Sequence, residues 1–533
     1  MSLLKSSARL SLLTLASRLL GLVREMTKAA YLGTTSLADA FGIGFMLPNL
    51  FRRLFAENSI SVAFIPTFRA YLDEADTPEG KQRAEEFASA MYTCVLFLTA
   101  LVVLGGIFAA PYVAPLFLSP TQAEARQETV FLTRIMFPYL FVISLAAFFQ
   151  GILNTLKIFS PSGFTPVLFN ILVIGCTVFL TPALENPARA MAVGVLAGGT
   201  AQALFQLPYV LRATKDTINV RNLRFANLAA AFENEGVKRV FMLIGPTVAG
   251  MAAYQLNDLV STALAGRTGV GIVSSLQYSL RLQELILGIF AVSIGTVLLP
   301  DFAGLAHRGE WDAFTEMLQK AIRVIALITI PVTFFSLLMG ENIIVLVYKS
   351  REFTAQSVAL TREVFSWHIA GLFFIAVNRI IAPAFYACGD TRSPTLAGIA
   401  GFGVNILLAL ILSRFMKGGG IALALSIAAL ANTAALLYYL FRSKTIGVPA
   451  VIQSLWASAV TYTALSAIAA APVFLIKGRL FALFAGHNRL VSQGIPLALG
   501  ALIFAALGVF LLAVTRDPLL RDLRSALKKS NTE

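Results

Sequence analysis

The sequence predicts an all-α, polytopic membrane protein of about fourteen transmembrane helices, and three observations carry that prediction. The 533 residues are 57% hydrophobic and only 13% charged, with a mean hydropathy of +0.77, outside the range of ordinary soluble domains. Apolar runs of about 20 residues recur from one end of the chain to the other, each long enough to cross a bilayer as a helix. The joins between them carry turn chemistry: Gly33-Thr34-Thr35, Ser160-Pro161-Ser162-Gly163, Gly389-Asp390 before Ser393-Pro394, and Gly418-Gly419-Gly420.

Taken in order, the expected spans are 10–32, 37–66, 86–110, 127–156, 161–182, 188–212, 237–264, 271–300, 317–339, 357–387, 392–414, 418–441, 453–476 and 491–514. The first is read as a helix that stays in the protein, because two arginines interrupt it and no small-residue cleavage site follows. Cys94, Cys176 and Cys388 each lie within an apolar run, so they read as small core residues rather than disulfide partners or metal ligands. No Walker loop, metal-ligand cluster or nucleophile elbow occurs, so neither an enzyme nor a cofactor or metal is expected.

The net charge of +14 reads in part as a bias of basic residues toward the cytoplasm, and no nucleic-acid partner is expected. Arg212, Lys215, Arg221, Arg224, Lys238 and Arg239 cluster on the side of the N-terminus, as does the tail from Arg516 to Lys529. Their roughly twofold excess over the opposite side puts both termini in the cytoplasm. The tail reads as a segment attracted to anionic lipid headgroups.

The two halves of the chain resemble each other. S-V-A-F-I-P-T-F at 61–68 answers G-T-V-L-L-P-D-F at 295–302; Ser160-Pro161 answers Ser393-Pro394; F-N-I-L at 169–172 answers V-N-I-L at 404–407. Six spans separate each pair, so the repeats share one orientation. The expected organisation is an N-lobe at 1–212, a cytoplasmic linker at 213–236 and a C-lobe at 237–445. Two extra helices at 446–515 and a basic tail at 516–533 follow.

Charges inside the spans are the functional signal. A charge at the centre of a membrane helix costs about 2.5–3.5 kcal/mol on insertion scales. The first span nevertheless holds Arg18, Arg24 and Glu25, and the second holds Asp39, Arg52, Arg53 and Glu57. Two neighbouring helices that both accept this cost are expected to line a wet, cationic chamber. Arg18 and Arg24 sit about 120° apart on a helix and do not share a face, although Gly21 between them could permit a bend. Arg53 and Glu57 are spaced i,i+4 and Arg281 and Glu284 i,i+3, so each pair can neutralise itself. Glu25 is expected to meet Arg24 only through a neighbouring helix. That leaves Arg18 and Arg52, with Arg24 and Arg281, to offer positive charge, either to an anion or to interhelical salt bridges. Arginine suits an anion because its planar fork binds phosphate at two points. Asn257-Asp258 is an intramembrane acid that could serve a proton, a cation or an arginine, and His368 reads as a core histidine.

The pairing of S-R-L-L-G-L-V-R-E at 17–25 with D-A-F…L-P-N-L-F-R-R-L-F-A-E…A-F-I-P at 39–66 resembles the MurJ/MviN family of bacterial lipid II flippases, and Y-S-L-R-L-Q-E…G-T-V-L-L-P at 278–300 adds to the likeness. The family lies within the multidrug/oligosaccharidyl-lipid/polysaccharide exporter superfamily. The resemblance implies two six-helix lobes around a central cationic cavity and a final helix pair lining a hydrophobic groove. It implies flipping of the undecaprenyl-diphosphate-linked peptidoglycan precursor across the cytoplasmic (inner) membrane by alternating access, driven by membrane potential or an ion gradient, with cell-wall synthesis proteins as further partners. The family's cavity arginines match Arg18, Arg24, Arg52 and Arg281, and its acids match Asp39 and Glu57. Where some relatives hold sodium with carboxylates, this chain offers Ser261, Thr262 and Asn405, so sodium coupling is not carried over unless Asp258 supplies a displaced acid.

Three rival readings differ in what they need. A flippase for another polyprenyl-diphosphate oligosaccharide is separated only by the motifs of the first two spans. A multidrug antiporter of this architecture calls for acids in its cavity, since its substrates are mostly cations. A non-transporting envelope scaffold needs no arginine at mid-membrane.

Overall fold

A computed structural model describes residues 3–57, 63–214, 227–443 and 446–521, and most of their side chains. Among the described residues the secondary structure is helical throughout, with no strand. The chain packs as two units, Met1–Ser274 and Ser275–Glu533.

The first unit begins with α1 (Leu3–Leu32) and α2 (Ser36–Phe51), a π-helical segment (Arg52–Glu57) and α3 (Ile65–Asp73). It continues through α4 (Pro78–Phe117), α5 (Ala123–Met136), α6 (Pro138–Thr155), α7 (Ser160–Leu184), α8 (Pro187–Ala213), the short α9 (Leu228–Glu233) and α10 (Glu235–Thr268). Helix α11 (Ile272–Arg308) starts in this unit and runs into the second. There follow α12 (Trp311–Tyr348), α13 (Ala355–Ala370), α14 (Leu372–Ala387), α15 (Arg392–Ser443), α16 (Val448–Leu483) and α17 (Ile495–Val514), the last preceded by a π-helical turn at Leu490–Gly494.

Apart from the stretch at 37–66, the expected spans reappear in order once α5–α6 and the bent α13–α14 pair are each taken as one span and α15 is divided at Lys417. Among the described residues, eight helices are long and apolar enough to cross a membrane, and the bent α13–α14 pair makes nine. Helices α1, α2, α10 and α11, which carry the charged candidates, are not among them.

The caps explain why the helices start where they do. Thr35, Thr77, Asn186, Asn234 and Thr354 each turn a side-chain oxygen onto backbone N–H groups of the first turn, satisfying donors that a helix leaves unpaired. Asp390 does the same for α15, accepting from Arg392 and Ser393.

Two joins differ from expectation. The stretch at 37–66 is not a single α-helix: Pro48 withholds one backbone N–H, and from Arg52 the backbone widens to π geometry. Residues 58–62 of that stretch lie outside the described residues. The other difference is at Gly418-Gly419-Gly420, where no loop forms; the chain breaks one residue earlier, at Lys417, with φ 46° and ψ −124°.

Among the described residues of the first unit, two apolar cores stand out. One gathers Phe64, Phe68, Phe87, Phe148 and Phe149, with Phe64 and Phe68 stacked at 5.2 Å between ring centres. The other joins α2, α5, α6, α7 and α8 through Phe41, Leu132, Met136, Tyr139, Phe169 and Met191. In the second unit α16 and α17 dock on α12 through Met339, Val473, Leu497 and Phe504. Lys477 adds a bond from its Nζ to the Leu338 carbonyl at 2.8 Å.

Candidate functional site

Helix α1 runs unbroken past Gly21. Arg18 is exposed, whereas Arg24 and Glu25 are half-buried. Arg24 is held from two sides. Its Nη1 donates to Asn170 Oδ1 on α7 at 3.2 Å, and its Nη2 meets Glu25 Oε1 at 2.9 Å. The Arg24–Glu25 pair therefore forms directly along one helix, against the expectation that it needs a neighbour. Long side chains that leave the helix in different directions can still curl to meet at their tips. The guanidinium also lies 5.7 Å from the centre of the Phe169 ring, a distance at which a ring face attracts a cation.

Asn170 completes this arrangement by donating Nδ2–H to the Ser17 carbonyl at 3.2 Å. It went unnoticed as a functional residue because an asparagine in an apolar run announces no partner. The signal available in sequence was its place in the repeated F-N-I-L motif. Lys28 was missed too. It lies one turn beyond Arg24, is 5% exposed, and places its Nζ 5.7 Å from the Phe41 ring centre. Its i,i+4 spacing from Arg24 was the readable clue.

Arg52 opens the π-helical segment, and its Nε donates to Asn49 Oδ1 at 2.9 Å. Arg52 and Arg53 are both half-buried. The expected Arg53–Glu57 pair involves the Glu57 side chain, which lies outside the described residues. From residue 12 to residue 57 the chain holds five cations, Arg18, Arg24, Lys28, Arg52 and Arg53, against three acids, Glu25, Asp39 and Glu57. The excess is positive, which suits a dianion.

Asp39 does something different from the arginines. It is fully buried and accepts from the backbone N–H groups of Gly271 at 2.6 Å and Ser274 at 2.8 Å. The carboxylate thus caps the start of α11, where the helix dipole favours a negative charge. Gly271 makes the approach possible: its φ is +82°, and a Cβ there would lie 2.4 Å from the Thr34 carbonyl oxygen.

The remaining candidates are dispersed. Asp258 and Ser261 lie half-buried on α10 in the first unit, and Asn405 is buried on α15 in the second. Arg281 and Glu284 form the ion pair their spacing suggests, at 3.0 Å on α11. His368 is 1% exposed, with Nδ1 2.6 Å from Ser279 Oγ. Among the described residues no group of three or more His, Cys, Asp or Glu side chains is placed to hold a metal ion.

Comparison with known proteins gives a consistent picture. Residues 28–513 match the family model described as "Lipid II flippase MurJ". A Treponema pallidum protein named "Probable lipid II flippase MurJ" is 45% identical over 520 residues, covering 97% of this chain and 96% of its own. A Burkholderia cenocepacia protein named "Lipid II flippase MurJ" is 31% identical over 435 residues, covering 81% and 83%. Among solved structures, a lipid II flippase MurJ in an inward closed conformation superposes with a TM-score of 0.73 at 22% identity, covering 95% of this chain and 99% of that one. An inward-facing multidrug resistance MATE family transporter of the MOP superfamily gives 0.61 at 16% identity, covering 82% and 96%. These two likenesses establish the fold, which is that of a multi-pass membrane protein. The resemblance read from the motifs at 17–25, 39–66 and 278–300 is borne out over nearly the whole length: the chain belongs to the lipid II flippase MurJ family.

Proposed function

We propose that this chain flips lipid II, the undecaprenyl-diphosphate-linked disaccharide-pentapeptide, from the inner to the outer leaflet of the cytoplasmic membrane by alternating access. In the first unit Arg18, Arg24 and Arg52 bind the diphosphate, and in the second Arg281 donates hydrogen bonds to phosphate. No bond of the substrate is made or broken, so the activity is transport rather than catalysis. Membrane potential or an ion gradient supplies the driving force, with Asp258 as the acid best placed in sequence to respond to it.

The observation that supports this reading most is the concentration of arginine on α1 and at the start of the π-helical segment in a chain otherwise built for hydrocarbon. The chemistry fits. A sugar-peptide head crossing bare hydrocarbon would strand many polar groups without partners. A diphosphate met by arginine forks keeps its hydrogen bonds, each charge-assisted one contributing about 1.5–3 kcal/mol. The polyprenyl tail stays in lipid throughout.

The test is reconstitution into vesicles carrying labelled lipid II, scoring exposure of the label on the opposite leaflet. Protein-dependent exposure that Arg52→Ala abolishes supports the reading. Flipping of a different polyprenyl-diphosphate oligosaccharide with lipid II left in place would move the assignment to that substrate.

A further inference from the structure

Helices α13 and α14 meet at Gly371 with a bend of 42°. A bend interrupts the ladder in which each carbonyl accepts from the N–H four residues on, so the last carbonyls of α13 become open to other donors. Side chains from three different helices take up that role. Ser426 on α15 donates its Oγ–H to the Trp367 carbonyl at 2.6 Å. Gln283 on α11 donates Nε2–H to the His368 carbonyl at 2.5 Å. Thr333 on α12 donates Oγ1–H to the Ile369 carbonyl at 3.3 Å. A fourth link joins the His368 ring to Ser279 on α11. Glycine at the bend is needed for this closeness, since a Cβ on Gly371 would lie 2.5 Å from Ser426 Oγ.

Two of the four links end on α11, and they end on one face of it, because Ser279 and Gln283 are four residues apart. Tyr278 holds the same stretch. Its ring packs against Tyr348 and Phe353 at 4.9 and 5.4 Å, and its carbonyl accepts from the Tyr348 hydroxyl at 3.3 Å. Arg281 lies two residues from both Ser279 and Gln283, which puts it about 200° round the helix. Its side chain keeps 33% of its exposure, while Ser279, Gln283 and His368 are buried.

We propose that Ser279, Gln283 and His368 form a rotational lock that holds α11 against the broken α13–α14 span and so aims Arg281. They are positioning residues for phosphate binding, an assignment that rests on the reading of Arg281 as a hydrogen-bond donor to phosphate. Turning α11 by a single residue, about 100°, would pull a buried amide and a buried serine off their partners together. The orientation is therefore held by polar groups that have no water to replace what they lose. The bend supplies the acceptor: in a continuous helix the His368 carbonyl would serve the backbone N–H of Leu372 instead.

The experiment has two readouts. Gln283→Met keeps the shape and removes the donor; Ser279→Ala is a smaller change, and Ser279→Thr should restore function. The first readout is labelling of Arg281→Cys by a charged thiol reagent, with Cys94, Cys176 and Cys388 replaced by alanine. Gln283→Met is expected to slow it roughly threefold or more. The second is lipid II affinity in a double-mutant cycle. Gln283→Met should weaken binding roughly threefold to tenfold when Arg281 is present, and should add nothing to Arg281→Ala. Unchanged labelling in both Gln283→Met and Ser279→Ala overturns the lock. Equal loss of affinity with and without Arg281 overturns its action through that residue. If labelling slows but Arg281→Ala itself leaves affinity intact, the lock stands and the reading of Arg281 as a hydrogen-bond donor to phosphate falls.

Discussion

Arg24 and Asn170 are joined across the contact of α1 with α7, Nη1 to Oδ1 at 3.2 Å, and the same asparagine holds the Ser17 carbonyl. One amide thus orients an arginine and ties down the turn of helix that precedes it. Asn170→Leu should cost stability, on the order of 1–3 kcal/mol, through the two hydrogen bonds it removes. Asn170→Asp is expected to keep the protein folded and to weaken lipid II binding, because a carboxylate there competes for the Arg24 charge. Membrane abundance and binding measured side by side separate the two effects.

Arg52 has its Nε engaged by Asn49, which orients the rest of the fork. Arg52→Ala should lower lipid II affinity on the order of tenfold to a hundredfold, with normal abundance in the membrane. Arg52→Lys keeps the charge, loses the fork, and should also impair binding. Normal abundance with normal binding in Arg52→Ala would remove Arg52 from the anion site.

Asp39 caps the start of α11 from full burial, so its loss strands two backbone N–H groups. Asp39→Ala is expected to cost roughly 2–6 kcal/mol, counting about 1–3 for each stranded donor. Asp39→Asn, which retains an acceptor oxygen, should cost less. Thermal unfolding in detergent orders the three proteins; an Asp39→Ala protein as stable as the parent would show the cap to be idle.

Asp390 sits in the loop before α15. Burial works against its ionisation, but hydrogen bonds from Ser393 and Arg392, with the nearby Arg392 charge, outweigh burial and hold the carboxyl below the usual aspartate value of 3.8. A lowered pKa in the folded state means that the cap is fully effective above the unfolded value. It is lost as pH falls through the folded one. Asp390→Ala should destabilise by about 1 kcal/mol at neutral pH, and the gap should narrow in acid below that range. A gap that stays constant down to the lowest pH at which the protein folds would exclude this cap as its source.

Orientation is testable from outside the cell. With both termini cytoplasmic, Phe225→Cys should resist a membrane-impermeant thiol reagent in intact cells, and Ala485→Cys should react. Labelling at 225 would invert the topology.

Much of this protein was legible as sequence because the bilayer imposes one-dimensional rules. Apolar length set the spans, and turn residues such as Thr35 and Asp390 marked their starts. The cost of burying charge singled out Arg18, Arg24 and Arg52 before any fold was known, since depth along a helix can be read from residue number. Arg281 and Glu284 paired as spaced, for the same reason. Partnership between helices follows no such rule. That Arg24 finds Asn170 and also Glu25, that Lys28 sits over Phe41, and that Asp39 caps a helix more than two hundred residues away were decided by packing alone. The same holds for the bend at Gly371, where a glycine in an apolar run becomes a junction only because Ser426, Gln283 and Thr333 arrive from three other helices. Hydrogen bonds and rings are selected by distance in space, and an apolar sequence does not encode which of its many helices will be neighbours. Periodicity and composition therefore determined what crosses the membrane and which charges it carries; the tertiary structure decided which groups those charges meet.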